Sequence, residues 1–279
     1  MTVQSVLNTL KTIVFLIIET PFRPRWAFYR FKGFLYGNYM NRFHQDRIQT
    51  YQERLQPLED ALAFVTGKSK NEVIEAGRTE ILEKMKIQHP WVVGLPDEGG
   101  SGQTDGPIEV RYGPSPELMK CVHIVCRLMK PDVVIETGVA KGFTSASALD
   151  ALEQNGKGKL YSVELPSLYF GYSDQVGERI PDRLRHRWRL DFGPSAIVLP
   201  KLVEELGSVD VFIYDSAGSY DNQIAEFSII LAAMPVGGVL VSDLMMTDAL
   251  IELAETINCE WTTTDQTKPY PIGLLRKLS

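Results

Sequence analysis

The stretch Glu136-Thr-Gly138-Val-Ala-Lys141-Gly142 joins an apolar run to a helical pattern. Its glycines allow a tight turn and the close approach of a ligand to the backbone. A helix opening there offers its N-terminal amides to an anionic group. The dinucleotide fingerprint would read Gly-x-Gly-x-x-Gly. This turn reads Glu-x-Gly-x-x-x-Gly, with an acid two residues before the first glycine. That acid repels a pyrophosphate and suits an ammonium group. Glu164 lies 22 residues past Gly142, at the end of the next apolar run. A carboxylate in that place accepts hydrogen bonds from both ribose hydroxyls. Together these groups fit a nucleoside bearing an amino acid, the chemistry of S-adenosylmethionine. Two later apolar runs also end in acids, Asp215 and Asp243, the first followed by Tyr220.

Positioning such groups requires a strand before each acid and a helix after it. Ser115 caps a helix over 116–129, then strand 133–136, the turn, and a helix over 143–154 follow. Strand 160–164 leads through a long loop, 165–182, to strand 187–191 and a helix over 195–206. Strand 211–214 ends at Asp215 before a helix over 221–233. Strand 239–242 ends at Asp243 before a helix over 247–257. Two last strands, 259–264 and 272–277, have no helix between them and read as a hairpin. Short apolar strands alternating with helices predict an α/β fold, a Rossmann-like, mostly parallel sheet covered on both faces. Its ligand belongs at the carboxyl ends of the strands, where their order switches.

Residues 1–88 read instead as a helical appendage. The period is helical over 25–55, a helix at 58–66 follows Pro57, and a capping box, Ser69-x-x-Glu72, opens one over 70–87. Residues 89–107 are rich in Gly and Pro and read as a hinge loop, leaving 108–279 as the cofactor-binding domain. The 279 residues are 44% hydrophobic and 23% charged, which excludes a disordered or collagen-like chain. Three cysteines, Cys121, Cys126 and Cys259, are too few and scattered for a disulfide framework or a zinc site, and suit packed thiols in a reducing cytoplasm. The net charge of −6 argues against nucleic acid, but it divides into +5 over residues 1–54 and −11 over the rest. The apolar run 13–18 is too short to span a bilayer and lacks the flanks of a signal peptide. Arg and Lys interleaved with Trp26, Phe28, Tyr29, Phe31 and Tyr36 suit a peripheral membrane contact through residues 3–36, a lid, or a homodimer surface.

The sequence resembles the class I S-adenosylmethionine-dependent methyltransferases, in particular a bacterial small-molecule subgroup, from about Gly113 to Leu275. The resemblance rests on residues 133–146, 161–166, 183–188, 210–216, Ser219-Tyr220, Glu226-Phe227 and 237–243. It implies a seven-stranded sheet whose last strand runs antiparallel. It also implies that Glu136, Gly138 and Gly142 hold the methionine part, Glu164 the ribose, and that Asp215 faces the methyl group. The acid expected near the adenine is Pro194 here, and Asp191 is the substitute three residues earlier. Related sequences carry histidine where Tyr214 and Gly218 stand, and a second acid and an amide where Leu244 and Thr247 stand. A hard divalent ion wants several oxygen ligands, so magnesium is not expected to be required.

A hydroxyl acceptor must lose its proton to a positioned base. Asp215 is the first choice, ahead of Asp243, Tyr220 and Lys141 on the turn. Of the four histidines, His123 reads as core and His186 as surface. His44 and His89 reach the pocket only if the appendage folds over it. The reading is a cytoplasmic enzyme that methylates an oxygen, or else a nitrogen, of a small molecule, with S-adenosylhomocysteine as product. The alternative is a binding scaffold that has lost transfer; a nicotinamide enzyme is disfavoured by the glycine spacing. The loop at Tyr169–Tyr172 hints at an apolar or aromatic acceptor.

Overall fold

A computed structural model of the chain describes residues 27–29, 31, 43–78, 114–165, 175–216, 218–243, 245–267 and 270–279. The helix expected at the front end, the 89–107 hinge and the Tyr169–Tyr172 loop lie outside these residues.

The alternating pattern builds one sheet. Its strands are β1 (Leu55–Gln56), β2 (Val133–Thr137), β3 (Lys159–Glu164), β4 (Trp188–Phe192), β5 (Val211–Tyr214), β6 (Val239–Ser242), β7 (Cys259–Thr264) and β8 (Ile272–Lys277). They lie in the order β1-β7-β8-β6-β5-β2-β3-β4. Only β8 is antiparallel to its neighbours, so the C-terminal strands form the expected hairpin. The sheet has eight strands rather than seven, and the addition is β1, which pairs in parallel with Thr263 and Thr264. The helical period over 25–55 is realised only as α1 (Gln49–Glu53) among the described residues past 42. Pro57 explains the change: its ring disfavours the α conformation in the residue before it. Leu55 and Gln56 therefore extend, and pair with the open edge of β7.

The other helices are α2 (Leu58–Thr66), α3 (Lys70–Ala76), α4 (Pro116–Met129), α5 (Phe143–Asn155), α6 (Ser195–Leu206), α7 (Tyr220–Ala233) and α8 (Ala249–Ala254). The capping box is present, with Ser69 and Glu72 bonding each other's backbone amides at 2.9 and 3.3 Å. α3 stops at Gly77, short of the expected residue 87. Ser115 caps α4 by accepting from the amide of Leu118 at 3.0 Å.

Strand alternation divides the core. Val134 of β2 packs with Leu118, Val122 and Leu149 on one face, while Ile135 packs with Leu202, Phe227 and Leu240 on the other. Each such Leu or Ile, fully buried, contributes about 1.5–3 kcal/mol. Ala61, Leu62, Val65 and Val73 of α2 and α3 belong to the first of these clusters. Helices assigned to the appendage thus share a core with the sheet. From β2 the chain steps outward to β3 and β4, then returns to β5 on the other side. The order therefore reverses between β2 and β5, the place where α/β sheets bind ligands.

Candidate active site

The glycine turn closes the end of β2. Gly138 has φ +86°, and a Cβ there would fall 2.0 Å from the carbonyl oxygen of Asp215. Only glycine lets the turn lie against the backbone that follows β5. Ala140 is also left-handed, at φ +46°, a conformation that costs a non-glycine residue about 1–3 kcal/mol. Neighbouring bonds hold it there. Its carbonyl accepts from the Gly177 amide at 3.0 Å, and that of Lys141 accepts from Arg179 at 2.9 Å.

Glu164, at the end of β3, fastens the turn from the other side. Its Oε2 accepts from the amides of Val139 at 2.7 Å and Ala140 at 3.0 Å. Asp215 joins the same cluster: its amide donates to the Thr137 carbonyl at 2.9 Å, and its Oδ2 accepts from Thr144 Oγ1 at 2.9 Å. Thr144 lies in the first turn of α5, whose amide end favours a negative charge.

Glu136 lies beneath the turn with no exposed surface. Ser145 and Ser162 donate to its Oε2 at 2.6 and 2.7 Å, and Trp188 Nε1 donates to Ser162 at 2.9 Å. Its Oε1 is buried without a hydrogen-bond partner. Burial pushes the Glu136 carboxyl up to about 7 against two hydroxyl bonds that pull it down. A second buried acid, Glu226 of α7, accepts from Thr137 Oγ1 at 2.6 Å and from Asn222 Nδ2 at 2.8 Å. Burial raises it to about 7 as well. Asn222 also donates to the Tyr214 hydroxyl at 3.3 Å, so this network braces the end of β5.

Asp243 stands beside Tyr214, to whose carbonyl its amide donates at 2.8 Å. The side chain is buried, and Oδ1 accepts from Gln266 Nε2 at 3.0 Å. Gln266 is held in turn by the Tyr270 carbonyl at 2.7 Å and by Ser115 Oγ at 2.5 Å. Nothing in the sequence pattern marks Gln266, because it comes from the loop of the β7–β8 hairpin.

Tyr220 opens α7. Its hydroxyl donates to Glu252 Oε2 at 2.6 Å, and that carboxylate raises the phenol to about 12. Its ring stacks on His44 at 3.6 Å with the planes 5° apart. The segment around His44 lies along the loop after β6. The Asp248 amide donates to the His44 carbonyl at 2.9 Å, and Gln45 Nε2 to that of Met246 at 3.2 Å. Tyr51 donates to the Thr247 carbonyl at 2.8 Å.

The structure thus gathers Glu136, Gly138, Gly142, Glu164 and Asp215 at the switch point, with Asp243 alongside. Lys141 turns to Glu178, 3.2 Å away. Asp191 lies within β4 and pairs with Arg189 at 3.0 Å, which also meets Glu205 of α6. The residue at the carboxyl end of β4 is Phe192, in register with Glu164 and 42% exposed. Among the described residues no three His, Cys, Asp or Glu side chains converge as a metal site. No described helix is long and apolar enough to cross a membrane.

Residues 135–243 match the family model for a methyltransferase domain. No curated protein matches the sequence. Solved structures do match. The O-methyltransferase TomG from Streptomyces achromogenes, in complex with S-adenosylmethionine, is 18% identical with a TM-score of 0.53, over 72% of this chain and 91% of that one. An O-methyltransferase from Bacillus cereus bound to S-adenosylhomocysteine is 16% identical with a TM-score of 0.52, over 72% and 92%. The methyltransferase PaMTH1 from Podospora anserina, also bound to S-adenosylhomocysteine, is 14% identical with a TM-score of 0.50, over 72% and 89%. The fold is that of the class I methyltransferases.

Proposed function

We propose that this methyltransferase-domain chain moves a methyl group from S-adenosylmethionine to an oxygen of a small molecule and releases S-adenosylhomocysteine. The observation that carries the reading is the glycine turn fastened between Glu164 and Asp215 at the switch point of the sheet. The residues present fit the cofactor. Glu164 has one oxygen committed to the turn and a second for ribose hydroxyls. The start of α5 offers amides to a carboxylate. Glu136 Oε1, buried and unpartnered, is an acceptor suited to an ammonium group once the turn admits one. The cofactor supplies an electrophilic methyl group; the chain's part is to align an acceptor with it in a dry pocket. Asp215 orients the acceptor, with Asp243 at its side. Lys141 and Asp191 serve the site through the turn and the edge strand that their ion pairs fix. Magnesium is not part of the reading.

Calorimetric titration with S-adenosylmethionine and S-adenosylhomocysteine, with and without magnesium, is the test. Micromolar binding unaffected by magnesium supports it, and transfer of a labelled methyl group to a panel of phenols and sugars completes it. Binding without transfer to any acceptor favours a scaffold. The hinge loop over 89–107 and a cytoplasmic location belong to the same reading, as does a membrane or dimer contact through residues 3–36. The membrane contact is supported by the exposure of Phe28 and Phe31, 61% and 45%. Equal flotation on anionic vesicles with and without residues 1–20 would refute it.

A further inference from the structure

We propose that His44 is the acceptor-side base of the transfer reaction, a role that rests on the function proposed above. The carboxylates that flank the glycine turn are already engaged: Glu164 Oε2 takes the Val139 and Ala140 amides, and Asp215 Oδ2 the Thr144 hydroxyl. Among the described histidines, His123 is buried in α4 against the Ser147 carbonyl, and His186, in the turn before β4, lies 3.3 Å from Glu153 of α5. His44 alone among them lies at the loops that leave β5 and β6. It is half-buried, stacked on Tyr220 at the end of the loop that begins with Asp215. Its backbone is pinned to Asp248, past the loop that begins with Asp243. Position 218 is a glycine with the Met246 side chain against it: a Cβ there would meet Met246 Sδ at 2.9 Å. Gln45 donates to the Met246 carbonyl, so the segment that carries the imidazole is tied to the loop that begins with Asp243.

In the step, the acceptor oxygen bonds to the methyl carbon as the carbon–sulfur bond breaks, and sulfur keeps the electron pair. The hydroxyl proton passes to the His44 ring, which later gives it to water. The stack on Tyr220, whose hydroxyl is tied to Glu252, fixes the plane of the ring.

The test requires no knowledge of the acceptor. The full chain is saturated with S-adenosylmethionine or with S-adenosylhomocysteine, and the histidine ring signals are followed by NMR against pH, with His44→Gln for assignment. The two ligands differ in the sulfonium charge, which an imidazole facing the methyl group must feel. The surrounding titratable groups (Arg47, Tyr220, Asp221, Asp248, Glu252 and Glu255) are common to both complexes. The expected result is a His44 curve displaced to lower pH by about half a unit or more with the sulfonium ligand. His123 and His186 stay in place, and His44→Gln keeps its cofactor affinity within about twofold. Coincident His44 curves overturn the proposal, as does a tenfold loss of affinity in His44→Gln. With any acceptor the wild type methylates, that variant loses about a hundredfold or more in turnover; equal turnover is equally fatal. Failure of the wild type to bind either ligand in the calorimeter overturns the function itself, and is seen separately.

Discussion

Glu164 divides its work between two oxygens. Oε2 takes the turn amides, and Oε1 is the oxygen proposed for the ribose. Hydrogen bonds to a charged group contribute about 1.5–3 kcal/mol each. Glu164→Ala is therefore expected to weaken S-adenosylmethionine binding at least about tenfold in calorimetry; unchanged affinity would remove the ribose assignment. Asp215→Asn keeps the shape and the Thr144 contact, so it should lower turnover far more than cofactor affinity. Full activity in that variant would take Asp215 out of the mechanism. Spacing alone was enough to find both residues, because each ends an apolar run. The family resemblance, not spacing, put Asp191 near the adenine; in the structure its side chain shares a face with Arg189, two residues before it. The period of two in a strand decided its direction, and the exposed end position went to Phe192.

At the scale of elements, the turn depends on contacts between strands distant in sequence. Gly138→Ala would drive a methyl group into the Asp215 carbonyl. The expected loss is about 3 kcal/mol or more of stability, read by urea unfolding, together with loss of cofactor binding. A variant that binds and unfolds like the wild type would mean that the turn and β5 separate freely. The segment from His44 to Gln56 is a strap along the loop after β6 and the edge of β7. Arg54 lies 4.0 Å over the Trp261 ring, and Tyr51 is wholly buried. Tyr51→Phe leaves the Thr247 carbonyl without that donor, and should cost about 1–2 kcal/mol with cofactor affinity unchanged. A silent substitution would show that the strap is held by packing alone.

For the whole molecule, the two acids beneath the sheet's end set a pH dependence. Glu136 and Glu226 are both raised to about 7 by burial. Between the unfolded value, near 4.5, and 7, the folded state holds protons that the unfolded state has lost. Stability from these groups is therefore highest below about 4.5 and falls as pH rises toward 7, after which it is level. Each group accounts for a loss on the order of 1–3 kcal/mol. Glu136→Gln and Glu226→Gln should flatten the decline in urea midpoints between pH 5 and 8. A wild type equally stable at both ends would refute the burial argument.

The sequence by itself determined the seven strands from Val133 onward, the glycine turn and the acids at the strand ends. These follow from local rules: apolar runs of strand length, caps such as Ser115, and glycine at positive φ. Tertiary structure alone decided which distant segments meet. Pro57 ended a helical pattern that reached 55, and Leu55 and Gln56 became an eighth strand along the open edge of β7. Gln266 reached Asp243 across a hairpin, Glu226 reached the end of β2 from a helix, and His44 reached Tyr220 across the length of the domain. No periodicity within any of these segments encodes such a meeting, because each contact depends on the order of strands in the sheet.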